Sequence, residues 1–181
     1  MIQDIGRNTI DTEFAKPQPQ DSDYVLIFEK TDVFVVPETG SLPTYADWKR
    51  LGGDDSELVH IFEQAGTQFF TVLDPDDAIK QQLRREVSRY LRMVQPTWLR
   101  LGSVTALHLF QWFQNHRFCG CCGAPMKPDG KELAMRCTND ECHAVTYPAI
   151  SPAIIVGIVN NGKILLTRSS VYKNPVYALV S

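Results

Sequence analysis

Cys119, Cys122, Cys137 and Cys142 are the residues whose type and spacing most directly specify chemistry in this 181-residue chain. They read Cys-x2-Cys, a gap of fourteen residues, then Cys-x4-Cys. Two close pairs joined by a hairpin-sized stretch can each sit on a tight turn and present four thiolates to one tetrahedral zinc ion. Gly120 and Gly123 beside the first pair, and Asn139-Asp140 inside the second, supply turn chemistry. Two disulfides are the alternative pairing. They rank below zinc because no secretory signal precedes the cysteines and disulfides are rare in reducing compartments. Cys121 is a fifth, spare cysteine between two proposed ligands, and its side chain is expected to point away from the site.

Composition is that of an ordinary globular chain, 44% hydrophobic and 22% charged. No apolar run approaches the roughly 20 residues that span a bilayer, so no membrane partner is expected. The opening Met-Ile-Gln-Asp-Ile-Gly-Arg does not read as a secretory signal, which makes a cytoplasmic protein the expectation. Formal net charge is −3 with thiols neutral. A zinc tetrathiolate would lower it further, which argues against non-specific binding to duplex nucleic acid.

The elements that must position the cysteines follow from local patterns. The stretch from Met1 to about Ser22, with Pro17 and Pro19, reads as loosely ordered or peripheral. Tyr24 to Phe28 and Val33 to Val36 read as a hairpin, as do Leu58 to Phe62 and Gln68 to Leu73 around Ala65-Gly66. Pro37 and Pro43 mark a loop. Asp74, with Pro75 in the first turn, predicts the start of a helix carrying Ile79, Leu83, Val87 and Tyr90 or Leu91. Thr97 predicts the cap of another helix to about Asn115, with Leu101, Val104, Leu107 and Phe110 on one face. His108 beside that face reads as a packed or surface histidine, not a ligand.

A small metal module is expected from about Asn115 to Pro148, with strands over Lys131 to Arg136 and Ala144 to Tyr147. Phe118, Leu133, Met135 and Tyr147 are the candidates to roof it. So small a module buries little core, so the metal would contribute folding free energy directly. Beyond Pro148, the apolar run Ala153 to Val159 predicts a strand covered on both faces. Asn160-Asn161-Gly162 predicts a hairpin turn into Ile164 to Thr167, and Val176 to Val180 a further strand. Three strands without a covering helix read as the opening of a larger domain.

The segments Phe118-Cys-Gly-Cys-Cys-Gly, Lys131-Glu-Leu-Ala-Met-Arg-Cys137 and Tyr147-Pro-Ala-Ile-Ser-Pro-Ala-Ile-Ile-Val156 resemble the NADH pyrophosphatases of the Nudix superfamily. The resemblance is most specific from about His116 to Val156. It implies an α+β chain in three parts: an N-terminal Nudix-like α/β domain (1–114), a four-cysteine zinc ribbon (115–148) and the first strands of an incomplete catalytic Nudix domain (149–181). It implies an enzyme that hydrolyses the pyrophosphate of NAD(H), and of NAD-capped RNA ends, to AMP and nicotinamide mononucleotide. It further implies a homodimer, structural Zn2+, and catalytic Mg2+ or Mn2+ held by glutamates of the Nudix box.

That box, Gly-x5-Glu-x7-Arg-Glu-U-x-Glu-Glu-x-Gly-U with U aliphatic, would begin just after Ser181, so the chain reads as truncated before it. The acid pairs Asp54-Asp55, Asp76-Asp77 and Asp140-Glu141 do not match it. Pyrophosphate hydrolysis needs divalent ions held by clustered carboxylates, and a zinc closed by four thiolates offers no open position. The chain alone is therefore expected to be inactive. The resemblance carries a substrate-contacting role to Glu132 and to Tyr147, by hydrogen bonds to ribose hydroxyls and by stacking on a ring. A solvated strand acid and a ribbon-core tyrosine are the plain alternatives. Arg117, Lys127, Lys131 and Arg136 are weighed as ordinary surface charge, balanced by Asp129, Glu132, Asp140 and Glu141. Two other readings of the whole remain: a non-catalytic zinc-ribbon adaptor for RNA or protein, and a ribbon that only fixes two domains.

Overall fold

The computed structural model describes residues 5–12, 17–150, 152–171 and 173–180. The fold is α+β. The chain divides into two compact units, Met1–Pro148 and Ala149–Ser181.

The first unit is built on a six-stranded mixed sheet. Its strands are β1 (Ile10–Asp11), β2 (Tyr24–Glu29), β3 (Asp32–Val35), β4 (Leu58–Gln64), β5 (Thr67–Val72) and β6 (Arg84–Glu86), in the order β1-β4-β5-β2-β3-β6. Both expected hairpins form, β2 with β3 and β4 with β5. The two hairpins join through a parallel pairing of β2 with β5, Tyr24 opposite Phe69 through Ile27 opposite Val72.

Side chains alternate across each strand, and here both faces are apolar. Leu26, Phe28, Val33, Val35 and Phe69 enter one core cluster, while Val25, Ile27, Phe34, Phe70 and Val72 enter another. A register shift between His60 and Phe62 breaks the alternation in β4. This bulge lets the consecutive residues Ile61 and Phe62 join the same cluster.

One face is covered by α3 (Thr97–Asn115), through Leu99, Ala106, Leu109, Phe110 and Phe113. Leu107 is buried as expected, but Leu101 and Val104 are only half-buried, and His108 is exposed. The helix begins without a side-chain cap, its N-cap position being Pro96, so Thr97 is not the cap the sequence suggested. Gly102 allows the close approach to the sheet: a Cβ there would lie 2.4 Å from Gln64 Oε1 and 3.1 Å from the Phe69 ring.

The other face is covered by α1 (Tyr45–Arg50) and α2 (Asp77–Lys80), through Trp48, Ile79 and nearby Leu51 and Leu83. α1 falls after the loop marked by Pro37 and Pro43. A capping box starts it: Thr44 Oγ1 accepts from the Asp47 amide at 3.3 Å, and Asp47 Oδ2 accepts from the Thr44 amide at 3.0 Å.

The helix expected from Asp74 is corrected. Asp76 caps it, accepting from the Ala78 amide at 2.9 Å, and it ends after one turn. Arg84–Glu86 then pairs with β3 as an edge strand, and Ser88–Met93 is a 3-10 segment. Ile79, Leu83 and Leu91 keep their buried positions, so sheet pairing overrode a helical period that the burial pattern only mimicked. Part of the N-terminal stretch is also ordered into the sheet. Ile10 and Asp11 pair with Gln64 and Glu63, and Gln64 Nε2 donates to the Asn8 carbonyl at 3.1 Å. Residues 1–4 and 13–16 of that stretch lie outside the described residues.

In the second unit, β10 (Val159–Asn160) pairs with β11 (Lys163–Ile164), and β12 (Thr167–Ser169) pairs with β13 (Val176–Ala178). Asn161 and Gly162 both have positive φ, 49° and 71°, which gives the two-residue hairpin turn the sequence predicted. The strand expected to be covered over Ala153 to Val159 is not: Ile154 is 73% exposed and Val159 67%. Within that run Val156 bridges to Val180 and Val159 pairs with Ile164, but the described residues of this unit supply no covering layer. Among the described residues, no helix is long and apolar enough to cross a membrane.

Candidate functional site

The metal module lies in the first unit as a three-stranded sheet, β7 (Met126–Pro128), β8 (Met135–Cys137) and β9 (Val145–Thr146). The strand expected over Lys131 to Arg136 is shorter. Residues 129–134 turn instead, because Asp129 Oδ1 accepts from the Lys131 amide at 2.7 Å and the Asp129 amide donates to the Ala134 carbonyl at 2.8 Å. Met135 is 2% exposed, and with Leu133 and Met126 it packs into the cluster beneath α3. Phe118 and Tyr147, expected to roof the ribbon, are exposed instead, at 69% and 55%. The ribbon is therefore roofed from one side by the core cluster beneath α3.

The four cysteines converge. Their Sγ atoms all lie within 4.8 Å of one another, with Cys119 to Cys142 at 3.7 Å and Cys122 to Cys137 at 3.5 Å. A tetrahedron of sulfurs about 2.3 Å from zinc has edges of about 3.8 Å, so the donor set fits that ion. Cys121 is exposed and stands outside the group.

Each ligand position sits on a turn that aims backbone amides at sulfur. The Cys121 amide donates to Cys119 Sγ at 3.4 Å, and the Asn139 amide donates to Cys137 Sγ at 3.4 Å. Positive φ at Gly123 (77°) and at His143 (55°) follows the second cysteine of each pair. The amides of Cys122 and Cys121 bring the Cys119 thiol down to about 7, and the Ala124 amide lowers that of Cys122. The Ala144 amide also favours a Cys142 thiolate, but the neighbouring Cys122 and burial outweigh it and push that thiol up to about 12. Four thiols this close cannot all ionise without a cation between them.

Glu132 and Tyr147 are brought together. The Tyr147 hydroxyl donates to Glu132 Oε1 at 2.9 Å, and this hydrogen bond, followed by burial, holds the phenol above its ordinary value of 10.0. Arg136 Nη2 stands 3.9 Å from the same Glu132 oxygen. Arg136 also pairs with Asp129, whose side chain is only 4% exposed, and this holds the Asp129 carboxyl below its usual range.

Two of the four basic residues near the ribbon are paired with acids. Arg117 makes a bidentate pair with Asp74 at 2.9 Å for each contact, and Arg136 is taken by Asp129 and Glu132. Sequence reasoning did not find the Asp129–Arg136 pair. Its spacing across a turn between strands carries no distinctive pattern.

Fold and site together define an α+β protein carrying a four-cysteine zinc ribbon. Residues 114–145 match the NADH pyrophosphatase zinc ribbon domain. The chain is 31% identical over 131 residues to the NAD-capped RNA hydrolase NudC of Stutzerimonas stutzeri, covering 72% of this chain and 43% of that protein. It is 39% identical over 75 residues to the NAD-capped RNA hydrolase NudC of Salmonella heidelberg, and 37% to that of Pasteurella multocida. Each of those two matches covers 41% of this chain and 28% of the relative. The chain thus spans less than half the length of these curated relatives. It belongs to the NADH pyrophosphatase family, whose zinc ribbon it carries, and its four-cysteine cluster supports a structural Zn2+.

Proposed function

We propose that this chain is the ribbon-bearing part of a Nudix hydrolase that cleaves the pyrophosphate of NAD(H), and of NAD-capped RNA, to AMP and nicotinamide mononucleotide. The convergence of Cys119, Cys122, Cys137 and Cys142 in a stretch that matches the NADH pyrophosphatase ribbon carries this reading. The four thiolates hold Zn2+, which contributes the folding free energy of the ribbon. In its three-part organisation, 1–114 is a Nudix-like domain, 115–148 the ribbon and 149–181 opening strands of a catalytic domain.

Bound Mg2+ or Mn2+ would supply charge neutralisation and a nucleophilic water. Among the described residues, the thiol cluster is the one group of side chains placed to hold a metal ion, and no carboxylate cluster suits those ions. The chain by itself is proposed to be inactive. What its own residues do is bind and orient. Glu132 accepts hydrogen bonds from ribose hydroxyls, and the exposed Tyr147 ring, steadied through its hydroxyl by Glu132, offers a stacking face. The whole protein acts as a cytoplasmic homodimer.

The test joins the part of the Stutzerimonas stutzeri relative that follows the matched region to this chain, and assays NAD+, NADH and NAD-capped RNA with Mg2+ or Mn2+. AMP and nicotinamide mononucleotide from the chimera, and none from the chain alone, is the expected result. Absence of products from every dinucleotide, with zinc content and folding intact, overturns the reading.

A further inference from the structure

Asp129 differs from its ribbon neighbour Glu132 in burial: its side chain is 4% exposed, against 43% for Glu132. It lines a cavity of about 540 Å³ between the N-terminal sheet and residues 128–134 of the ribbon. Each of its oxygens nevertheless has a partner within the ribbon. Oδ1 accepts from the Lys131 amide at 2.7 Å, and Oδ2 accepts from Arg136 Nε. Burying a carboxylate is unfavourable unless it is paired and hydrogen-bonded. The turn alone does not need the charge, since an asparagine side chain offers the same acceptor oxygen to the Lys131 amide. The charge therefore acts on the second partner, Arg136.

Arg136 lies on β8, opposite Lys127 on β7 and Val145 on β9, and its side chain is partly exposed. A free arginine there would sample many rotamers. With Nε fixed on Asp129, Nη2 stands 3.9 Å from Glu132 Oε1, within ion-pair range. That oxygen is the one that accepts the Tyr147 hydroxyl at 2.9 Å. The four side chains thus form one linked series, anchored at the buried Asp129 and ending at the exposed Tyr147 ring. A planar guanidinium suits the middle place, because its fork can face two carboxylates at once. The Arg136–Glu132 contact is too exposed to contribute much stability, so its consequence is orientation.

We propose that Asp129 and Arg136 are positioning residues for the substrate-contacting pair: Asp129 anchors the guanidinium, which holds Glu132 against the Tyr147 hydroxyl and so fixes the face that the Tyr147 ring presents. Both act through Glu132, not on the substrate. The consequence for catalysis rests on the substrate reading of Glu132 and Tyr147. The linkage itself is a property of this chain.

The experiment is a double-mutant cycle on the zinc-loaded chain. The alkaline titration of the Tyr147 phenol is read as a difference spectrum against the matching Y147F protein, with and without E132Q, in the wild-type and D129N backgrounds. Comparing within each background removes any direct field of residue 129 at the phenol and leaves the Glu132–Tyr147 hydrogen bond. The shift caused by E132Q should fall to about half or less in D129N. D129N keeps the acceptor for the Lys131 amide, so zinc content and far-UV circular dichroism should hold. R136K, a second variant, keeps a charge but loses the fork, and should shrink the E132Q shift as D129N does. In the chimera with the Stutzerimonas stutzeri relative, D129N should raise KM for NAD+ at least about twofold with kcat unchanged, and should change KM no further once E132Q is present. A merely structural Asp129 would act whether or not Glu132 is there. An E132Q shift of equal size in wild type, D129N and R136K overturns the proposal. So does a KM that D129N leaves unchanged in an active chimera. A chimera that fails to hydrolyse dinucleotides overturns the substrate reading, and the cycle on the chain alone then decides the positioning.

Discussion

The ribbon shares one core with the six-stranded sheet and α3 through Met135, and this makes their coupling measurable. Met135 is 2% exposed and belongs to the cluster that contains Leu99, Ala106, Phe110 and Phe113. Its place there depends on β8, which ends at the ligand Cys137. Truncating a buried methionine to alanine costs about 2–5 kcal/mol when the site cannot collapse. For a unit of this size, each kcal/mol lowers the melting temperature by about 2–4 °C. M135A in the zinc-loaded protein should therefore melt about 4–20 °C below wild type.

Chelation should remove most of that difference. Without zinc the ribbon loses its folding free energy, β8 leaves the α3 face, and position 135 is exposed in both proteins. In the metal-free pair M135A should then cost less than about 0.5 kcal/mol, the level at which uncoupled sites cease to be distinguishable. The assay is a double cycle of melting temperatures, wild type and M135A, each with zinc and after chelation. Far-UV circular dichroism should show the sheet surviving chelation, because the opposite cluster around Trp48, Phe70 and Val72 has no ribbon residue in it. An equal M135A penalty with and without zinc would refute the coupling. So would complete loss of the sheet signal on chelation.

Other perturbations follow from single contacts. G102A places a Cβ 2.4 Å from the buried Gln64 amide oxygen and should destabilise by about 1–3 kcal/mol in urea unfolding, despite alanine's better helix propensity. Asp129 has its carboxyl lowered by Arg136, so its stabilising contribution is fully present above about pH 4 and is lost as pH falls through the lower folded value. In D129N, stability below about pH 4 should therefore depend less on pH than in wild type, as read by thermal melts. Cys121 stands outside the thiol cluster, so C121S should keep one zinc per chain by metal analysis, while C137S should lose it. Tyr147 ionises above its ordinary value because of Glu132, so E132Q should move the alkaline phenol titration back down, read as a difference spectrum against Y147F.

The two hairpins, the long helix and the thiol cluster were legible because each rests on a local signal: β-branched runs with a polar break, a sustained helical period, and ligand spacing. The region after Asp74 was misread because Ile79, Leu83 and Leu91 are buried at helical spacing although the backbone passes from one helical turn through an edge strand into a 3-10 segment. Periodicity reports burial, and strand pairing with Val33–Val35 decided the conformation. α1 was missed although Thr44-x-x-Asp47 is a capping box, since six residues carry too short a period to register. The parallel pairing of β2 with β5 spans more than forty residues, and no local pattern encodes it.

The site was legible to a different depth at each residue. Thiol spacing alone brings four sulfurs into a tetrahedron, because two tight turns on adjacent strands leave little freedom. Glu132 and Tyr147 are fifteen residues apart, and only the β8–β9 pairing of Met135 with Thr146 makes them neighbours. Asp129 and the cavity beside it depend on the ribbon turn docking against β4 and α3, a long-range event that leaves no trace in spacing. Local chemistry thus predicts where the metal binds. What lies beside the metal is set by which hydrophobic face the ribbon covers, and Met135 sets that face.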